Sequence, residues 1–490
     1  MSAYTRKLSL TTTVFLLSLW HNTSVAQPPQ HWFEKFKNSA SDTELYTFLY
    51  AMPKGGDLHH HMTGSALSEW WYELALKQQE HGYRYYTKVT ISNCSEYGSN
   101  AFGYRPYLLH FNNLLESSYQ QLSDCEKSEY KRLEDLSEHE LTAWLNSIRL
   151  DEDHEGRDEF FQTHWQRLDE LMNSPYLVAE ILVKNMQAFG AEGLIYMEPM
   201  MGASGYTTPD GVPIKPDDVA NIYRQRLQQS DAQKTGVTVR LQESILRFAA
   251  NAEQQLRNYF DFVSRNNDLY LAVNMVGRED NDKGHPLRFK QTLRELRRSY
   301  NNVKLSIHAG EVDEPNFHVR DTILLGADRI GHGVNLISDD DLLRQMRYGP
   351  YLVEINLISN LLLEYVDQYN QHPFPEYLRL GVPVALSTDD RGMWDSNITD
   401  EFFVAVKEFN LSWDELMQLN HNSLQYSFID ASNKKALIAT YEQRTAQFEA
   451  SFVKHGFESL KHVSPVSYGF ICDQYQLCDF SQNTNNRPQQ

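Results

Sequence analysis

The sequence predicts an α/β fold, a (β/α)8 TIM barrel, on three observations. Short apolar, strand-like runs alternate with amphipathic helical stretches along most of the 490 residues, the pattern of a parallel sheet covered by helices. The runs number eight, which is the count that closes a barrel. Four of them end in a His or a carboxylate, and a barrel gathers the ends of its strands on one face.

In order, the runs are Gly56–Met62, Leu194–Pro199, Val237–Leu241, Leu269–Val276, Val303–His308, Arg329–His332, Tyr351–Asn356 and Val382–Ser387. Between them, Ser244–Asn266 reads as one amphipathic helix, and Pro286–Tyr300 as another that opens with Pro at its first position. About 130 residues separate the first two runs, far more than a βα connection needs. Within that gap, the stretch from Tyr83 to about Leu150 is rich in Tyr, Asn, Ser and acidic residues. It reads as a subdomain inserted beside the active-site face, followed by helices from about Phe160 to Gly190. After the eighth run, Glu401–Asn410, Trp413–Asn422 and Lys434–Phe452 read as helices closing the barrel. One barrel domain over 27–480, with an insertion at 83–150 and a polar tail at 481–490, accounts for the chain.

Composition narrows the function. Asp and Glu outnumber Lys and Arg by 65 to 45, a formal net charge of −20. A surface this acidic repels phosphate backbones and anionic membranes, which argues against nucleic-acid binding. At the amino end, Arg6 and Lys7 precede the apolar Val14-Phe15-Leu16-Leu17, and Ser24-Val25-Ala26 offers small residues for cleavage. That is the pattern of a signal peptide over 1–26, with too short an apolar run to span a bilayer. The expected destination is periplasmic or extracellular. Of the four cysteines, Cys94 and Cys125 lie in the insertion and Cys472 and Cys478 near the carboxyl end. No C-x-x-C occurs, so a thiolate zinc site is not expected. Proximity favours Cys94–Cys125 and Cys472–Cys478 among the three possible pairings, with free buried thiols as the alternative.

The chemistry sits at the strand ends. In Asp57-Leu58-His59-His60-His61, alternation along a strand sends His59 and His61 to one side and His60 to the other, so the outer pair can clamp a metal. His308, in Ser306-Ile307-His308-Ala309-Gly310-Glu311, offers a third imidazole, and Asp389, in Ser387-Thr388-Asp389-Asp390, a carboxylate. Three His and one Asp with room for water is a set typical of Zn²⁺, which lowers the pKa of its bound water; iron and manganese share these ligands. Glu311 is placed to give a proton to a ring nitrogen of substrate. His332, between Gly331 and Gly333, is placed to orient and deprotonate a metal-activated water. Asp390 can hydrogen-bond substrate. Each of these residues alone has an equally good structural reading; their coincidence at four strand ends is what points to a metallohydrolase.

Pro53–His61, the His-Ala-Gly-Glu stretch, Arg329-Ile330-Gly331-His332-Gly333 and Ser387–Asp390 together resemble the signature motifs of the adenosine deaminase family, over about Pro53 to Phe452. The resemblance implies a (β/α)8 barrel and one Zn²⁺ held by His59, His61, His308 and Asp389. It implies hydrolytic deamination of a purine nucleoside at C6, in purine salvage. Glu311, His332 and Asp389 are the implied catalytic residues, with Glu311 protonating N1. Asp390 near N7, the backbone of Gly277 near N3 and His61 are the implied substrate contacts. The export signal and the cysteine-bearing insertion are similar to those of secreted members.

The sequence also departs from that family. Many intracellular relatives carry an acid that reaches the ribose where this chain has Thr63, and secreted relatives carry one where it has Met62. The seventh run, Glu354-Ile355-Asn356-Leu357-Ile358-Ser359-Asn360, lacks the usual Cys-Pro, and Arg391 follows the last motif in place of Pro. Adenosine or deoxyadenosine is the expected substrate; adenine, a 5′-modified adenosine and an adenosine nucleotide remain open. A binuclear amidohydrolase would carry a bridging lysine on the fourth strand, and Leu269–Val276 has none. A non-catalytic binding protein would have lost one of these polar residues.

Overall fold

The computed structural model describes residues 31–94, 108–152, 154–280, 282–314 and 316–478. The expected signal peptide and polar tail lie outside the described residues. Eight parallel strands form the centre. They are β1 (Lys54–Asp57), β2 (Leu194–Met197), β3 in two segments (Thr238–Val239 and Leu241–Leu246), β4 (Tyr270–Val276), β5 (Lys304–Ala309), β6 (Arg329–His332), β7 (Leu352–Ile355) and β8 (Val384–Leu386). β1 pairs with β2 and β2 with the first segment of β3. From the second segment of β3 to β8, each strand pairs with the next in chain order.

The circle closes through bonds beyond the regular ladders. The Arg240 N–H donates to Met197 O at 3.1 Å and the Gln242 N–H to Pro199 O at 3.0 Å, which ties β2 to the second half of β3. At the other seam, the Asp389 N–H donates to His59 O at 3.0 Å and the His61 N–H to Asp389 O at 3.1 Å. The strands are covered by helices outside and filled inside, so Leu305, Ile307, Val353 and Ile355 are almost wholly buried, as a parallel sheet requires.

Two expected elements change. The first strand lies at Lys54–Asp57, and the three histidines follow it instead of ending it. His60 and His61 bridge to different neighbours, Asp389 and Met200, so no single ladder continues through them. The helix expected over Ser244–Asn266 begins only at Ala252 (Ala252–Arg265). Ser244–Leu246 instead continue β3, in register with Asn274–Val276 of β4, a partner that local periodicity does not reveal.

The insertion contains a small antiparallel sheet, with Tyr85–Lys88 between Asn113–Leu115 and Tyr130–Arg132. Both expected disulfides are present, Cys94–Cys125 and Cys472–Cys478. The insertion grips the segment that roofs the barrel mouth: Asn113 Nδ2 donates to Arg167 O at 2.7 Å and Asn112 Nδ2 to Asp169 Oδ2 at 2.8 Å. Behind the barrel, Ile398–Phe409, Trp413–Gln425 and Ala431–His455 form the closing helices. No helix among the described residues is long and apolar enough to cross a membrane.

Candidate active site

Backbone geometry at the strand ends aims the polar side chains inward. Asp389 and His332 both take positive φ, 53° and 66°, a conformation that costs energy for residues with a Cβ and persists at sites where the surroundings impose it. Asp57 fixes the seam between β1 and β8: its carboxylate accepts from the His59 N–H at 3.1 Å and from the Thr388 hydroxyl at 2.6 Å. Gly331 is required by packing, because a Cβ there would lie 2.6 Å from the His59 ring.

One nitrogen or oxygen from each of His59, His61, His308 and Asp389 falls within 4.8 Å of the others. His59 Nε2 and His61 Nε2 each lie 3.4 Å from Asp389 Oδ1, and the Nε2 atoms of His61 and His308 are 3.3 Å apart. His60 turns the other way, toward Asp57 and the Phe189 ring. The far nitrogen of two ligands is committed elsewhere: His59 Nδ1 bonds Glu354 Oε2 at 2.7 Å and His308 Nδ1 bonds Asn274 Oδ1 at 3.0 Å. With Nδ1 carrying the proton, each Nε2 presents a lone pair to the centre. Burial holds the His61 imidazole down to about 4 and His308 well below its ordinary value, which is the neutral, ligating form. His59 Nε2 is fully buried without a hydrogen-bond partner. Burial disfavours protonation of His59, yet the carboxylates of Asp389 and Glu354 outweigh it and raise the pKa to about 10. The centre therefore favours a positive charge, and its three imidazoles and one carboxylate fit Zn²⁺.

Glu311 and His332 adjoin this cluster, with Glu311 Oε2 3.7 Å from His332 Nε2. Burial, then the nearby charges of Asp389 and Glu279, raise the Glu311 carboxyl well above its usual range, so it retains a proton. Burial and Asp389 do the same to Asp390. Glu279 positions the Glu311 loop by accepting from the Gly310 N–H at 3.1 Å and the Glu311 N–H at 2.9 Å.

His332 is set by a relay. The Phe374 N–H donates to His372 Nδ1 at 3.1 Å, so the His372 proton sits on Nε2 and is donated to Asn360 Oδ1 at 3.0 Å. The Asn360 amide then donates to His332 Nδ1 at 3.0 Å. Asn356 directs its amide hydrogens to the carbonyls of Ile355 and Ser387. The Asn360 amide favours a proton on His332 Nε2, whereas the Asn356 oxygen, 3.3 Å from Nδ1, favours one on Nδ1. His332 Nε2 faces the site beside Glu311, the placement that both of its expected roles, orienting the water and taking its proton, require.

The cavity above the cluster has a volume of about 360 Å³. His61, His308, Glu311, Asp389, Asp390 and Gly277 line it, opposite an aromatic wall of Phe160, Phe161 and Trp165. The structure thus brings together every residue singled out above; His59 and His332 lie beneath the cavity floor. Reading the sequence missed Glu354, Asn274, Asn360 and His372, which hold those residues in place. The strand-seven segment that departs from the family pattern contains Glu354 and Asn360, and the departure was the available signal.

Barrel and site together define a metal-dependent hydrolase of the amidohydrolase type. The sequence profile of the adenosine deaminase family matches residues 125–443, about two thirds of the chain, and the chain belongs to that family. An N6-methyl-AMP deaminase from Xenopus laevis is 27% identical over 263 residues, covering 53% of this chain and 73% of that protein. An adenosine deaminase from Vibrio cholerae serotype O1 is 33% identical over 192 residues, covering 39% of this chain and 55% of that one. Among solved structures, a cog1816 amidohydrolase from Burkhoderia ambifaria with bound Zn superposes with a TM-score of 0.60 at 17% identity, covering 84% of this chain and 95% of that one.

Proposed function

We propose that this protein is a Zn²⁺-dependent deaminase that binds one ion and converts adenosine or deoxyadenosine to the corresponding inosine and ammonia. The observation that carries this reading is the convergence of His59, His61, His308 and Asp389, with Glu311, its carboxyl pushed by burial well above the usual range, beside them. The ion supplies Lewis-acid activation of the attacking water. Glu311 gives its proton to N1, which draws electron density from C6. His332 orients the water through Nε2. The proton given up by the water has carboxylate acceptors in Asp389 and, once N1 is protonated, in Glu311. The protonated Asp390 donates to N7, and the Gly277 backbone faces N3. The water oxygen adds to C6, one of its protons passes to the amino group and the other restores Glu311, the C6–N bond breaks and ammonia leaves.

None of the described residues lining the cavity is Lys or Arg, so a 5′-phosphate meets no cationic partner among them, which favours nucleosides over nucleotides. Two disulfides support an exported protein, since such bonds persist in oxidising compartments. Cell fractionation with sequencing of the mature amino terminus tests that part. The reaction is tested by the ultraviolet shift from adenosine to inosine with and without a chelator. Chelator-sensitive conversion is expected. No conversion by protein shown to contain its metal would reject adenosine as the substrate.

A further inference from the structure

Beside the main cavity lies a second chamber of about 230 Å³. Thr63, Met172, Met200 and Ser244 stand in the walls of both, so a molecule bound over the metal ligands can extend into it. The chamber wall contains a buried acid. Glu243 on β3 is 1% exposed, and the hydrogen bond that anchors it comes from the Ala203 N–H to Oε1 at 2.8 Å. Among the described residues no cation lines the chamber; Ser204, Tyr206 and Tyr259 stand nearby. Burial pushes the Glu243 carboxyl up to about 8, so at neutral pH it both donates and accepts.

A neutral acid and a serine, with no fixed charge around them, suit an uncharged ligand rich in hydroxyls. Met62 and Thr63, which directly follow the metal-facing His61, line this same chamber. Neither supplies a carboxyl here, while Glu243 brings one in from β3. We propose that the chamber receives the sugar of a purine nucleoside, and that Glu243 and Ser244 hydrogen-bond its hydroxyls and thereby select nucleosides over free bases. This rests on the deaminase reading above. A buried polar group that a ligand hydroxyl satisfies, and that a ligand without the hydroxyl leaves unpaired, is a strong discriminator.

The test compares kcat/KM for adenosine and 9-methyladenine in the metal-loaded wild type, Glu243→Leu, Glu243→Gln and Ser244→Ala. The wild type is expected to favour adenosine by about 100-fold or more. Glu243→Leu should cut adenosine turnover by about tenfold or more while 9-methyladenine stays within about twofold, which also shows that the variant is folded. Glu243→Gln, which keeps a neutral donor and acceptor, should recover most of the loss, and Ser244→Ala should lose a smaller factor on adenosine alone. Equal losses on both substrates, or no loss on adenosine, would overturn the chamber assignment and leave the deaminase standing. If the wild type deaminates neither compound, the deaminase reading falls and this assignment with it.

Discussion

His372 donates from Nε2 to Asn360 Oδ1 at 3.0 Å, and that bond decides which way the Asn360 amide faces, so that its nitrogen meets His332 Nδ1 at 3.0 Å. The order originates in a backbone N–H, that of Phe374, which cannot reverse its polarity. A side chain at the reacting centre thus meets an amide donor whose direction is set by a residue that does not touch it.

His372→Phe should free that amide and lower kcat by about tenfold or more, with KM and bound metal unchanged, in line with the effect of removing an outer partner. ¹⁵N NMR of the wild type should place the His332 proton on Nε2. A parallel fall in metal content would show that His372 supports the fold and not the tautomer.

Glu311→Gln keeps the shape but removes the transferable proton. Turnover should fall by about 10²- to 10⁴-fold with metal content intact, measured by adenosine conversion beside elemental analysis. Near wild-type activity would remove Glu311 from the acid role.

Glu354 bridges His59, at 2.7 Å, and the buried Arg329, at 2.5 Å. Glu354→Gln should weaken metal binding by about 10- to 100-fold, read by competition with a chelator. The thermal midpoint should fall as well, because Arg329 keeps Glu198 but loses a charged partner.

Stability should respond to pH through Glu243. Its folded-state pKa of about 8 exceeds the ordinary 4.5, so the folded protein holds a proton that the unfolded chain releases. This contribution to stability is fully present below about pH 4.5 and is lost as pH rises toward 8, with a limiting slope of about 1.4 kcal/mol per pH unit. Urea unfolding at pH 5 and pH 8 should show the wild type losing stability relative to Glu243→Gln. Parallel behaviour of the two proteins would mean that Glu243 is not held protonated.

Much of this was legible in the sequence. The strands announced themselves because parallel strands buried on both faces are continuous apolar runs, and the chemistry-bearing residues sit at their ends. His59, His61, His308 and Asp389 could be collected without coordinates because closure of a barrel dictates where strand ends meet. The extension of β3 through Leu246 was hidden, since only its pairing with β4 separates it from the helix that follows. Glu354, Asn360 and His372 were equally hidden, because a positioning residue is defined by what it touches across the barrel. Glu243 looked like any acid near a helix until the chamber around it was known.

The seam between β1 and β8 also bears on how the protein is made. Two of the imidazoles that face the centre come from just after the first strand and the carboxylate from just after the last. A chain emerging from the ribosome amino end first therefore carries three of the four side chains of the binding site until its eighth strand has been synthesised. The segment that closes the ring is thus the same one that completes the set of four.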